Sequence, residues 1–290
     1  MNTLKFSKYN GLGNDFILID ARRNIDLENI LNNNINISKK ICNRNFGIGG
    51  DGIILILNGN NNNLRMKIIN SDGTEAEMCG NGIRCFVQYI VDNNIVESNN
   101  NNLFHIQTLA GIIKAKYEDD ESISVDMGPP IFIPDKVPTI LSFGSKKIAN
   151  GIIDFNNRKI EVFSVGMGNP HCITFMEELD KIPLEQLGSY LETHRFFPEK
   201  TNVHFVNVIN KRTIQMLVWE RGCGLTMACG TGACAVVVTS IILNLTERDV
   251  EVKLPGGNLN INWPSNNDSV YMKGPAKFTY RGEFSVSDFL

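Results

Sequence analysis

A chain of 290 residues suits one large or two medium domains, and 42% apolar against 20% charged residues is the balance of an ordinary globular protein. A formal net charge of −3 leaves no basic footprint for nucleic acid. No apolar run reaches the roughly 18–20 residues that span a bilayer, and the start lacks a secretory core, so the expected location is the cytoplasm, with no membrane partner. Residues 4–8 and 16–20 read as strands flanking a turn at Gly11-Leu12-Gly13-Asn14, and 27–42 as a helix diluted by asparagine. Short β-rich runs follow at 53–57 and 66–69, separated by an asparagine-rich loop at 58–63. A second asparagine run at 99–102 reads as another solvated loop, and 104–108, 112–117 and 122–127 continue a strand meander.

Gly128-Pro129-Pro130 is the best boundary, followed by Pro134 and Pro138. The pattern then repeats. Strands at 159–165 and 171–175 flank Gly166-Met167-Gly168-Asn169, a helix is expected at 184–193, and strands at 203–209 and 213–219 lead to Glu220-Arg221-Gly222. Strands at 250–254 and 259–263 precede a final alternating segment, 269–284, expected to rejoin the first half. The reading is α+β, with two related halves, each a curved, mostly antiparallel sheet around a central apolar helix. The first half is 1–128 plus 274–290, and the second is 129–273.

The relation between the halves is visible in the residues. Cys79-Gly80-Asn81-Gly82 returns 150 residues later as Cys229-Gly230-Thr231-Gly232, and the same offset joins Gly52 to Asn202, Met66 to Met216 and Asn70 to Glu220. The Gly-x-Gly-Asn turns at 11–14 and 166–169 are 155 apart. After Cys79, Ile83, Phe86, Val87, Ile90 and Val91 mark one face of a helix; after Cys229 the run 233–243 is apolar nearly all round and is expected to be a buried helix. Each cysteine therefore stands at a helix N-terminus, where unpaired N–H groups and the helix dipole favour a thiolate and can also hold a carboxylate. If the halves pack with pseudo-two-fold symmetry, one sulfur can take a proton from a stereocentre while the other returns one on the opposite face. That chemistry requires no pyridoxal phosphate. A core role for the cysteines, or a disulfide between Cys79 and Cys229, are the plainer alternatives. Cys79/Cys85 and Cys229/Cys234 lack zinc-site spacing, so no metal is expected. No Gly-x-Ser-x-Gly is present and only four histidines occur, which argues against a Ser/His/Asp hydrolase.

Several stretches together resemble one family: Gly11–Phe16, Asn70-Ser71-Asp72-Gly73, Met78–Cys85, Gly168-Asn169-Pro170-His171-Cys172, Asn202-Val203, Glu220-Arg221-Gly222 and Ala228–Gly232. The chain resembles the diaminopimelate epimerases, pyridoxal-independent enzymes of lysine and peptidoglycan-precursor synthesis, over nearly its whole length. The resemblance implies interconversion of LL- and meso-diaminopimelate without a cofactor, in a homodimer. It makes Cys79 and Cys229 the acid/base pair, with Cys79 the donor and Cys229 the acceptor in the LL-to-meso direction. It makes Gly80, Asn81, Gly230 and Thr231 the cradle for the reacting carboxylate, and Asn14, Asn70, Asn169, Asn202, Glu220 and Arg221 further substrate-binding residues. Arg221 suits the distal carboxylate. His171 and Glu220 match positions that tune the thiols, and Tyr280 one implicated in dimer formation. Two departures stand out. Gly52 replaces a glutamine that contacts substrate in some members, and Gly222-Cys223-Gly224-Leu225-Thr226 carries Leu225 and Cys223 where a Gly-x-Gly-Glu-Thr is common. The alternatives are a proline racemase or hydroxyproline epimerase, and an inactive binding protein of the same fold.

Overall fold

The structure is a computed structural model that describes residues 3–61, 63–95, 102–144, 147–285 and 288–289. The chain divides into two compact units, one of residues 1–125 with 274–290 and one of 126–273.

In the first unit β1 (Thr3–Gly11) and β2 (Asn14–Asp20) form a hairpin around Leu12 and Gly13, both at positive φ. Helices α1 (Ile25–Asn33) and α2 (Ile35–Cys42) cross over to β3 (Gly52–Asn58), which runs parallel to β2. The single helix expected over 27–42 is thus two, because Asn34 between them adopts φ −141°, ψ 84° and caps neither helix with its side chain. Next, β4 (Leu64–Asn70) pairs antiparallel with β3 and with the short β5 (Glu75–Ala76). Helix α3 (Gly80–Asp92) leads to β6 (Leu103–Thr108), parallel to β4, and the antiparallel β7 (Gly111–Tyr117) and β8 (Ile123–Asp126) complete the run. Of the asparagine run at 99–102, residues 99–101 lie outside the described residues.

β3 is buried on both faces, and its alternation divides two cores. Ile53, Leu55 and Leu57 pack with Leu27, Leu31, Ile37 and Ile41 of α1 and α2. Ile54, on the other face, points at the first turn of α3, where its Cδ1 lies 3.3 Å from the position a Cβ on Gly82 would take.

The second unit has β9 (Ser142–Phe143) and then β10 (Ala149–Phe155), a strand the sequence reading did not anticipate, before β11 (Arg158–Gly166) and β12 (Pro170–Phe175). Helix α4 (Leu184–Glu192) crosses to β13 (Asn202–Asn210), parallel to β12. After β14 (Thr213–Glu220) and β15 (Gly224–Thr226) comes α5 (Gly230–Ile242). β16 (Asp249–Leu254) lies parallel to β14, followed by antiparallel β17 (Gly257–Asn262) and β18 (Tyr271–Gly274). Parallel and antiparallel pairings alternate as in the first unit, and much of the register is inherited. Phe16 pairs with Gly52 and His171 with Asn202; Ile53 pairs with Ile69 and Val203 with Trp219; Ile68 pairs with Ala76 and Val218 with Thr226. Both units are α+β, as the sequence implied.

The strand patterns of the two units differ beside β1 and β11. In the second unit β10, next in the chain, flanks β11 antiparallel. In the first unit the corresponding neighbour of β1 is the last strand, β19 (Lys277–Ser285), running from Thr3↔Ser285 to Asn10↔Lys277. The final segment expected over 269–284 is therefore two strands, interrupted at Pro275, whose ring removes a donor from any ladder. Among the described residues no helix is long and apolar enough to cross a membrane.

Candidate active site

Both cysteines are helix N-caps with extended backbone, φ −144°, ψ 116° at Cys79 and φ −128°, ψ 111° at Cys229. Each sulfur accepts the backbone N–H of the third helical residue, from Gly82 at 3.4 Å and from Gly232 at 3.3 Å. Donation of this kind, with the dipole of a thirteen-residue helix behind it, favours the thiolate. Gly80 and Asn81 in one unit, and Gly230 and Thr231 in the other, head the helices, where N–H groups have no intrahelical acceptor. Cys42, Cys85 and Cys172 are free and buried. Burial pushes Cys42 up to about 12 and raises Cys85 and Cys172 further, as suits packing residues.

Around Cys79 a chain of amides is fixed end to end. The fully buried Arg84 donates from one guanidinium nitrogen to Asn81 Oδ1 at 2.9 Å and from Nε to the Pro275 carbonyl at 3.0 Å. With its oxygen held, Asn81 turns its NH2 toward Asn14 Oδ1, 3.4 Å away. Asn14 gives its own NH2 to Asp51 Oδ2 at 2.9 Å, so its oxygen is left to accept from the Cys79 thiol at 3.8 Å. Asp51 also accepts the Asp15 N–H at 2.9 Å and Arg44 at 2.8 Å. Burial pushes the Asp15 carboxyl up, but hydrogen bonds from Arg44 and Lys8 outweigh it and hold the group below the usual range. Asn70 ends β4 and donates to Thr74 Oγ1, in the turn that follows, at 3.0 Å. Gly52 has no room for a side chain, because a Cβ would lie 2.8 Å from the Ile69 carbonyl oxygen.

Around Cys229 the chemistry differs. Thr231 Oγ1 lies 3.5 Å from the sulfur. His171 and His204 are fully buried and share a 2.8 Å contact from His171 Nδ1 to His204 Nε2, while His171 Nε2 meets Asn169 Oδ1 at 2.8 Å. Burial, with His204 and Arg221 nearby, lowers His171 well below the usual histidine range, and burial lowers His204 to about 3. The expected thiol-tuning residue His171 thus has both ring nitrogens engaged within its own unit, by His204 and Asn169. Glu220, the other, accepts Thr226 Oγ1 at 2.6 Å. Asn202 donates to the Pro170 carbonyl at 2.9 Å and accepts the Arg221 N–H at 3.0 Å, so its amide joins the start of β12 to the turn after β14. Arg221 is exposed and touches the Glu199 carbonyl at 3.2 Å. The same turn is held from α4, where buried Glu192 accepts Trp219 Nε1 at 2.7 Å and the Gly222 N–H at 3.0 Å. Cys223 and Leu225 are exposed beside it. Tyr280 lies on β19, 43% exposed, with its hydroxyl donating to the Ile48 carbonyl at 3.3 Å. Among the described residues no group of three or more His, Cys, Asp or Glu is placed to hold a metal ion.

A family model described as diaminopimelate epimerase matches residues 6–133 and 163–279. The chain belongs to the diaminopimelate epimerase family. A diaminopimelate epimerase of Prochlorococcus marinus (strain NATL1A) is 49% identical over 97% of this chain and 99% of that protein. One of Carboxydothermus hydrogenoformans is 45% identical over 97% and 99%. Among solved structures, a hydroxyproline epimerase from Agrobacterium vitis superposes with a TM-score of 0.69 over 98% of this chain and 91% of that one. At 12% identity that likeness is one of fold alone. Four residues of the hydrogen-bond networks described above were not singled out as candidate site residues from the sequence: Asp51, Arg84, Glu192 and His204. Asp51 and His204 had a signal, since each adjoins or shares a strand with a repeat position, Gly52 or Asn202.

Proposed function

We propose that this protein is an isomerase that interconverts LL- and meso-2,6-diaminopimelate in lysine and peptidoglycan-precursor biosynthesis. The observation that carries the reading is the repeated cap: one cysteine at the N-terminus of each unit's central helix, accepting the same N–H bond. Inversion at one carbon needs one group to take the α-proton and another to return a proton on the opposite face. Cys79 and Cys229 are the pair, Cys79 as donor in the LL-to-meso direction and Cys229 as acceptor, with roles exchanged in reverse. The helix-heading N–H groups of Gly80, Asn81, Gly230 and Thr231 hold the reacting carboxylate and stabilise charge that develops on it. Arg221, exposed at the turn after β14, takes the distal carboxylate with its planar fork. Asn14, Asn70, Asn169, Asn202 and Glu220 complete recognition; at Asn202 the role is positional, through Arg221. The reaction uses no cofactor, and the protein works in the cytoplasm as a homodimer with Tyr280 at the contact. Exposed Phe278 and Tyr280 on β19 support that surface.

The test is turnover of LL-diaminopimelate by the purified enzyme in deuterated water, without added pyridoxal phosphate. Deuterium should enter at the α-carbon as the meso isomer forms, and proline should not exchange. Absence of α-exchange overturns the catalytic reading, and preferential exchange of proline overturns the substrate.

A further inference from the structure

The strand registers place Phe16 and Ile54 of the first unit where the second has His171 and His204. Two apolar side chains suffice beneath the helix that Cys79 caps. Beneath the helix that Cys229 caps, the same space holds two histidine rings with 0% exposure. Buried polar groups are costly unless their hydrogen bonds have a definite direction.

Here the direction can be deduced. Both rings are neutral, so each has one N–H and one lone pair. Two arrangements satisfy the 2.8 Å contact between them. If His171 were the donor, His204 would carry its proton on Nδ1, and among the described residues that buried nitrogen has no hydrogen-bond partner. An orphaned buried N–H is the rarer and costlier outcome. If His204 donates from Nε2, its Nδ1 is a bare lone pair instead. The ring edge at Cε1 faces Gly232, where an added Cβ would lie 2.2 Å from Cε1, 2.7 Å from Nε2 and 3.0 Å from Nδ1. The lone pair of His171 Nδ1 is then occupied, so its proton is on Nε2, donated to Asn169 Oδ1 at 2.8 Å.

We infer that His204 is a positioning residue: by donating to His171 it fixes the Asn169 amide with the oxygen held by His171 and the NH2 group as its free, ligand-facing end. Asn14 is set the other way, with its NH2 on Asp51 and its oxygen toward Cys79. The two asparagines of the repeated turns therefore offer opposite hydrogen-bonding groups, an acceptor at Asn14 and a donor at Asn169. A donor suits a carboxylate oxygen of the substrate. This ligand role rests on the proposed function; the tautomer assignment does not.

Long-range proton–nitrogen correlation spectra of the 15N-labelled full-length enzyme, which has only four histidines, read the tautomers directly. His171→Gln and His204→Gln assign the signals. In the wild type both rings should carry the proton on Nε2. His204→Ile, which copies Ile54, removes the donor that fixes His171 as the Nε2–H form, so His171 should become a mixture of tautomers and KM for LL-diaminopimelate should rise about tenfold, with kcat less affected. His204→Gln, whose amide can still donate to His171 Nδ1, should restore both the tautomer and KM. An Nδ1–H tautomer for either ring in the wild type overturns the inference. So does a His204→Ile enzyme with unchanged KM, whatever its tautomer. Should His204→Ile fail to fold, the wild-type spectrum still decides the tautomers and the His204→Gln enzyme decides KM, a rise of tenfold or more there counting against the inference. If wild type shows both Nε2–H rings yet does not act on diaminopimelate, the proposed function fails while the positioning of Asn169 stands.

Discussion

The two units present the same sulfur on the same kind of helix cap and support it by different means. Beneath α3 the support is aliphatic, Ile54 and Ile68 against Gly82, and the polar control comes from the side, through Asp51, Asn14 and Asn81. Beneath α5 the support is itself polar, the His204–His171 pair, with Gly232 pressed against a ring. Equivalent backbones thus tolerate different chemistry where the surrounding strand supplies the contact. The repeat conserves where a proton can be handled, and the strand beneath adjusts what that proton meets.

The largest expected effect tests what the halves share. Cys79→Ala and Cys229→Ala should each lower epimerisation by about a thousandfold or more, the range for losing a general acid or base. Cys85→Ala and Cys234→Ala, which alter buried packing residues inside the helices, should keep most activity. Near-normal turnover by either cap mutant would break the equivalence of the two sulfurs.

The next effect separates the halves. At Gly82 an added methyl meets the tips of Ile54 and Ile68 at 3.3 and 3.5 Å and Cys79 Cβ at 3.4 Å, so Gly82→Ala should change stability by no more than about 1 kcal/mol. At Gly232 it meets the His204 ring at 2.2 Å, and Gly232→Ala should cost about 3 kcal/mol. Urea midpoints of the two variants check this, and equal midpoints would mean that His204 does not lie against α5.

Acid sharpens the same contrast. His171 and His204 are depressed in the fold, so on acidification the unfolded chain binds protons first, near its ordinary value of 6.5. Their contribution is full above pH 6.5 and is lost as pH falls from there toward 3. For His204 alone the loss should reach roughly 2 kcal/mol at pH 5, a window above the titration of the carboxylates. His194, lowered mainly by partial burial, adds a smaller drift of the same sign. Denaturation curves between pH 7 and 5 should steepen this way in wild type and flatten in His204→Ile; parallel curves would count against neutral buried rings.

The smallest expected effect concerns the lateral support of Cys79. Asp51→Asn no longer dictates which end of the Asn14 amide faces the sulfur, and kcat/KM should fall about tenfold. The His171 and His204 resonances should stay in place. Movement of those resonances would show that the two supports are coupled.

How much of this was legible beforehand depended on sequence distance. The cap helices were legible because the Cys-Gly-x-Gly context occurs twice and is followed by apolar residues at helical spacing. The break at Asn34 was hidden because asparagine-rich sequence weakens the helical pattern throughout 27–42 without marking one position. β10 was hidden because Asn150-Gly151 dilutes its alternation. Asp51 and Glu192 act through partners far along the chain, Asn14 and Trp219, and only the packing of the elements that carry them brings them together. Asn202 and His171 were singled out by resemblance, but their partners depend on the register of β12 against β13.

The pairing of β1 with β19 has a consequence for how the protein is made. As the ribosome releases the chain from its N-terminus, the second unit has its strands by residue 274, whereas the first still lacks one of the two neighbours of its own first strand. Arg84, fully buried, finds the acceptor for its Nε only when Pro275 emerges. The unit synthesised first is therefore completed last, and it waits with an open edge that a second nascent chain could pair with. A stop codon or protease cut just before β19 would remove a strand at the C-terminus and unsettle the cap of Cys79, close to the N-terminus, while leaving the strands that support Cys229 in place.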